Sequence, residues 1–324
     1  MMHRANIISS LLFLLISFPV LSIAASFKDS FESADMSSTD ANGFKWSNLN
    51  RTSIVTQHPT EGNTVLFNGK SIYNSVNDGR DWTAYSGDNS LRFYYKAGQA
   101  QSEQRFDLGS AYPELWLKFW VRVPQNFTFG PVSGPNKFFS IWSDGYSAKG
   151  DGSSVWLSMS RSKDGTGADL WFSYSAGGYK GSGGARQRLP FISTQDRGRW
   201  MQIVWHVKVE SSPGASDGIV QTYRRWANET TYTKLHEALN AVIKVPDNNT
   251  PAGLKSGYIL GWANAAYTEN TEWLLDDFEV SDKNLLDTTP DNPTPPNDKE
   301  PPQATVISPA HIILFRNKYY NYSE

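Results

Sequence analysis

The segment from Arg199 to Glu210 sets a carboxamide, an imidazole and an ammonium at alternate positions. Gln202, His206 and Lys208 share one side of an extended chain, because successive side chains of a strand point to opposite faces. An imidazole titrates near neutrality and can take or give a proton. A second segment holds Arg92, Tyr94 and Lys96 on one side, and a third holds Lys118 and Arg122 beside Trp116 and Trp120. Guanidinium and ammonium groups pair with carboxylates, a phenol can protonate a leaving oxygen, and indoles cover the apolar face of a ring. None of the 324 residues is cysteine, which excludes thiol nucleophiles, thiolate metal sites and disulfides. Any chemistry must run on oxygen and nitrogen groups.

The elements that must carry these residues are strands. Leu115, Leu117, Phe119, Val121 and Val123 alternate with Glu114, Trp116, Lys118, Trp120 and Arg122, so one face is core and the other mixes indoles with charges. Met201, Ile203, Trp205, Val207 and Val209 alternate in the same way with Trp200, Gln202, Val204, His206, Lys208 and Glu210. Val155, Leu157 and Met159 oppose Trp156 and a set of serines. Helical signals are few, the best being the stretch 233–245, which reads as a turn or two of helix or as a strand at its end. Many short strands without alternating helices imply an all-β, antiparallel sandwich. Gln221, Tyr223 and Arg225 alternate along a strand expected to lie beside the His206 strand through the turn 214–218.

Composition bounds the class of function. With 30 Lys+Arg against 32 Asp+Glu the net charge is −2, so the cationic surface of a nucleic-acid binder is lacking. Hydrophobic residues make up 39% of the chain and aromatic ones 14%, which supplies a large core. Residues 1–25 have a short basic start, an apolar run and small residues before Ser26, and read as a secretory signal peptide, which makes the protein secreted. No later segment is apolar enough to span a bilayer. Residues 26–282 form the expected domain, 283–303 a Pro-rich linker, and 304–324 a truncated or divergent tail.

The segments 26–37 and 273–282 resemble the paired first and last strands of concanavalin A-like (laminin G-like) jelly rolls. Those at 90–98, 111–124, 136–142, 199–208 and 257–264 are similar to strands of secreted polysaccharide lyases of the heparin-lyase-I and alginate-lyase kind. The resemblance implies a polysaccharide partner, an acidic one, and β-elimination at a uronate, with the protein a monomer. It further implies Arg92 or Arg122 with Gln202 near the substrate carboxylate, His206 as base and a tyrosine such as Tyr223 as acid; Tyr94, Tyr146 and Tyr258 are the other phenols in view. Trp116, Lys118, Trp120, Arg122, Tyr94, Lys96, Lys208 and Arg225 are the expected substrate-binding residues. Lyases of this kind use a Gln, a His and a Tyr, some of them in a Gln-Ile-His triplet, whereas here His206 follows Gln202 by four residues, about 13 Å along a strand instead of about 7 Å.

Two alternatives stand beside this reading. A noncatalytic binding module or adhesin would need only the Trp116 and Trp120 face. A jelly-roll glycoside hydrolase would need two carboxyls, and Asp277 and Glu279 have suitable spacing. No organic cofactor is expected. Asp29, Glu32, Asp276 and Asp277 are the candidate ligands of a structural calcium ion joining the chain ends, since carboxylate oxygens are what that ion prefers.

Overall fold

The computed structural model describes residues 26–58, 65–67, 70–132, 134–143, 146, 153–176, 187–212, 214–243 and 253–286. The expected signal peptide, the linker beyond Leu286 and the tail lie outside the described residues. Among the described residues no helix is long and apolar enough to cross a membrane.

The strands are β1 (Ser26–Asp29), β2 (Lys45–Asn50), β3 (Thr52–Thr56), β4 (Val65–Phe67), β5 (Lys70–Ile72), β6 (Asn89–Tyr95), β7 (Glu103–Tyr112), β8 (Glu114–Arg122) and β9 (Asn136–Trp142) in the first half. The second half adds β10 (Ser153–Arg161), β11 (Ala168–Ala176), β12 (Gln187–Ile192), β13 (Trp200–Lys208), β14 (Gly218–Trp226), β15 (Thr233–Ala241), β16 (Leu254–Leu260) and β17 (Thr271–Ser281). They build the expected antiparallel sandwich. The front sheet runs β15-β14-β13-β8-β17-β6-β3, with β1 also on β17, and the back sheet runs β12-β11-β10-β9-β16-β7-β2. Their inner faces meet through aromatic contacts, Phe119 to Phe139 at 5.5 Å, Trp205 to Phe139 at 4.6 Å and Phe278 to Phe106 at 5.4 Å between ring centres. The apolar sets read from β8 and β13 are the ones buried here.

The stretch 233–245 is a correction: the part expected to be helical is a strand, and the strand expected over 243–245 lies mostly outside the described residues. Its described part forms β15 over Thr233–Ala241, not a helix, because it pairs with the free edge of β14 and buries His236 and Ala238 on one side. Backbone pairing along a sheet edge outweighs the helix preference of its Leu, Glu and Ala residues.

The first and last strands pair as expected, Phe27 opposite Val280 and Asp29 opposite Phe278. β17 is central: one edge faces β8, while the other is shared end to end by β6 and β1. A bulge between Asp276 and Glu279 makes this change of partner, with Asp277 the extra residue at a φ of +46°. The outward side chains of β17 before and after the bulge, Asp276 and Glu279, thereby stay on the outer face of the front sheet.

Candidate functional site

Register assembles the site on that outer face. Gln202 of β13 lies opposite Trp120 of β8 and Arg225 of β14, so the three form one row across the sheet. The next row is reached through Lys118, which lies opposite Glu279. Gln202 Oε1 accepts two hydrogen bonds, from Arg225 Nε at 2.7 Å and from the Tyr232 hydroxyl at 2.6 Å. Glu279 is held between Lys118 at 2.7 Å and Lys28 at 3.0 Å. A cavity of about 250 Å³ opens over these groups, lined by Lys118, Gln202, Arg225, Tyr232, Asp277 and Glu279, with Trp120 and Tyr85 among its walls.

Part of the wall comes from a segment outside the periodic strands. Trp82 and Tyr85 lie on the stretch between β5 and β6 and pack with Trp120, Trp200, Leu274 and Val55 as a second apolar layer on the outer face. Tyr85 stacks on Trp120 at 3.7 Å between ring centres. Asp276 anchors this strap: it is fully buried, its Oδ2 accepts from the backbone N–H of Tyr85 and Ser86, and its Oδ1 accepts from that of Asp277. The Ser86 hydroxyl donates to Asp277.

Burial, and then the neighbouring charge of Asp277, push the Asp276 carboxyl well above the ordinary carboxylate range, against the pull of its backbone donors. Burial pushes the Tyr85 phenol up to about 12. Tyr232 is raised by the same cause, with the Arg225 charge opposing it. Both phenols therefore keep their protons at neutral pH, and Tyr232 is the one whose hydroxyl is bonded to Gln202.

Of the residues expected from sequence, Gln202, Arg225, Lys118, Trp120 and Asp277 meet at this cavity. His206 does not. It is 6% exposed, lies flat on Trp116 at 4.0 Å, and sets Nδ1 at 2.9 Å from Gln221 Oε1 and Nε2 at 2.7 Å from Glu114 Oε1. Lys208 Nζ stands 3.9 Å from the same Glu114 carboxylate. Trp116 is covered in a small apolar group with Val204 and Leu285, against which Tyr223 and Tyr232 pack. Both indoles of the expected ladder are thus buried, Trp116 under this group and Trp120 under Tyr85, and neither is open to stack on a sugar.

Arg92, Tyr94 and Arg122 line a separate cavity of about 300 Å³ at the other end of the face. Arg92 binds Glu272 and lies against the rings of Trp82 and Tyr94, and Lys96 is exposed just past the end of β6. Arg122 donates to Asp81 Oδ2 at 2.7 Å, to the Asp81 carbonyl and to the Gly198 carbonyl. Burial would raise the Asp81 carboxyl, but the hydrogen bond and charge of Arg122 outweigh it and hold the group well below its ordinary 3.8. A carboxyl depressed in the folded state stabilises the fold above its unfolded value and loses that contribution as pH falls below it. Asp81→Asn is expected to flatten the acid side of the stability profile below that ordinary 3.8, read from thermal midpoints across a pH series. An unchanged slope would remove Asp81 from the account.

The four acidic candidates for calcium each accept hydrogen bonds from the protein. Asp29 accepts from Phe31 N–H and from Trp46 Nε1, Glu32 from the N–H groups of Asp88 and Asn89, and Asp276 and Asp277 from the donors above. Among the described residues no three acidic or histidine side chains converge as a metal ion would need.

No family model matches the chain, and no curated protein matches it. Solved structures similar to it include the marine PL-14 alginate lyase from Aplysia kurodai, at 16% identity and a TM-score of 0.43 over 60% of this chain and 84% of that one. Another is the endo-β-1,4-glucuronan lyase from the fungus Trichoderma reesei, at 14% identity and a TM-score of 0.45 over 79% of this chain and 94% of that one. A third is the winged bean acidic lectin complexed with methyl-α-D-galactose, at 10% identity and 0.43 over 80% and 98%.

Tyr232 and Tyr85 are the site residues that sequence periodicity does not reach. Tyr232 sits in the turn between β14 and β15, and Tyr85 in the strap before β6. The available signal was the hairpin itself: a turn after Trp226 must fold over the outer residues of β14 and β13 or away from them, and an aromatic residue in it favours the former.

Proposed function

We propose that the chain binds an acidic polysaccharide in the front-sheet cavity and cleaves it by β-elimination at a uronate. The observation that carries this reading is the double acceptance by Gln202 Oε1, which holds the Arg225 guanidinium and the Tyr232 phenol side by side at 2.7 and 2.6 Å. Arg225 and Lys118 neutralise the uronate carboxylate, which makes the proton on the adjacent C5 more acidic. Asp277, held at a strained positive φ on the bulge, takes that proton. The C5–H electron pair forms the C4=C5 double bond, the bond from C4 to the bridging oxygen breaks, and Tyr232 gives its proton to the leaving oxygen. Solvent then reprotonates Tyr232 and deprotonates Asp277. Export through residues 1–25 belongs to the same reading, since such polymers are met outside the cell.

The burial of His206 favours a second reading, noncatalytic glycan binding, because it leaves the cavity without an imidazole. Hydrolysis by the Asp277 and Glu279 pair is disfavoured because Glu279 is already taken up by ion pairs to Lys28 and Lys118.

The test is incubation with alginate, glucuronan, heparin, chondroitin and pectate while following the ultraviolet absorbance of newly formed unsaturated uronate. A rise supports elimination. Retention on a polysaccharide gel without a rise moves the assignment to binding, and new reducing ends without a rise move it to hydrolysis. His206→Ala is expected to keep the elimination rate within about threefold of the parent while losing about 1–3 kcal/mol of stability, since it strips partners from Glu114 and Gln221. Loss of the rate in a folded variant would return His206 to the site.

A further inference from the structure

The back sheet carries a cavity of its own, on its outer face, that the reading above does not use. It holds about 440 Å³, in the range of small-ligand sites, and is lined by Lys137, Tyr146, Trp156, Ser158, Tyr258 and Trp262 among others. Register explains the gathering. Tyr258 of β16 and Trp156 of β10 both lie opposite Ser140 of β9, a buried serine small enough to let the two rings flank it, and Lys137 lies opposite Ser158. Trp262 follows β16, and its carbonyl accepts from the Lys137 backbone N–H at 3.0 Å, which ties the two main chains together at the cavity that both residues line. Gly261 permits the approach: it has a φ of +123°, and a Cβ there would stand 3.0 Å from Glu103 Oε2 and 3.2 Å from the Lys137 side chain.

Two features of this cavity point to one kind of ligand. Trp262 is 40% exposed, the most open of the tryptophans among the described residues, and Trp156 is half-buried beside the same opening. Exposed indoles bordered by hydroxyl and amide groups suit a pyranose, whose faces are apolar and whose rim is polar. The Lys137 ammonium stands 5.0 and 5.1 Å from the ring centres of Tyr146 and Tyr258, and among the described residues it has no carboxylate within ion-pair distance. The neighbouring Arg105 and Glu103 neutralise each other at 2.6 Å, so the local excess is one positive charge.

We propose that this cavity is a second glycan site, selective for an anionic sugar: Trp262 and Trp156 stack on the ring and Lys137 pairs with its carboxylate. It lies on the sheet opposite the front-sheet cavity, so one protein molecule could hold a polymer at a point remote from where it is cut.

The test uses the full chain carrying Arg225→Ala, which disables the front-sheet cavity, and follows tryptophan fluorescence with tetrasaccharides of glucuronate and of mannuronate and with cellotetraose as the neutral probe. The expected result is that this parent binds an acidic tetrasaccharide more tightly than cellotetraose. Adding Trp262→Ala weakens both by about tenfold, the scale of one lost ring contact, and adding Lys137→Gln removes only the preference for acid. With Arg225 intact, Trp262→Ala leaves the elimination rate on a short substrate unchanged but lowers it on dilute polymer. The proposal is overturned if the Arg225→Ala parent binds none of the three, or if Trp262→Ala and Lys137→Gln bind as the parent does. Because binding is read without cleavage, failure to detect elimination would count against the front-sheet reading alone. Should Arg225→Ala not fold, Gln202→Ala replaces it as the parent.

Discussion

Asp276→Ala is expected to cost about 3–5 kcal/mol of unfolding free energy, the range for breaking a buried polar network. The carboxylate is fully buried and accepts from three backbone donors, Tyr85 and Ser86 N–H at 2.9 and 3.1 Å and Asp277 N–H at 2.8 Å. Alanine leaves all three without an acceptor in a place where no other is offered, and it frees the strap that carries Tyr85 onto Trp120. The glycan affinity of the front-sheet cavity should fall with it, since Tyr85 is one of its walls. Asp276→Asn keeps one acceptor oxygen and should lose less. It also isolates the charge: with the carboxyl raised in the folded state, the native protein holds that proton more tightly than the unfolded chain, so stability declines as pH rises from the ordinary 3.8 through the raised value. Asparagine removes that slope. Urea unfolding of the three proteins across the acidic range decides it, and an alanine variant within about 1 kcal/mol of the parent would show that the strap is held by its aromatic packing instead.

The strands were legible because their burial repeats every two residues, and β8 and β13 bury the side chains that the alternation assigns to the core. The hairpin of β13 and β14 was legible too, since a Gly- and Asp-bearing turn between two alternating runs leaves few other pairings, and it brings Arg225 opposite Gln202. The outer face was harder to read. Alternation says that Trp116 and Trp120 point away from the core, but not that Leu285 and Tyr85, both remote in sequence and outside any periodic run, come back to cover them. For the same reason a polar face identified His206 correctly as outward while giving no sign that Glu114, Gln221 and Trp116 would enclose it. The bulge on β17 is a further such case. Two adjacent aspartates fit a strand end or a metal site equally well by composition, and only the change of partner from β6 to β1 shows why one is buried under the strap and the other faces the cavity.

Tyr232→Phe carries the other large effect: elimination should fall about 10²–10⁴-fold in kcat, the usual contribution of a positioned general acid, with KM nearly unchanged. The substitution removes one oxygen and keeps the ring, so the packing of Tyr232 against Trp116 and Leu285 survives and a folding failure is not expected. Arg225→Ala should act differently, raising KM as well as lowering kcat, because its guanidinium meets the uronate carboxylate before and during the reaction. The two effects should be less than additive. Each variant removes one of the two donors to Gln202 Oε1, and freeing that carboxamide loosens the remaining partner, so the second substitution acts on a site already displaced. The pH profile provides a readout that a structural role would not move. A donor works only while protonated, and since the Tyr232 phenol is raised above 10.0, the alkaline fall in rate that it governs must lie above that pH and vanish in Tyr232→Phe. A rate within about threefold of the parent in folded Tyr232→Phe would remove the phenol from proton transfer and leave Gln202 and Arg225 as binding groups alone.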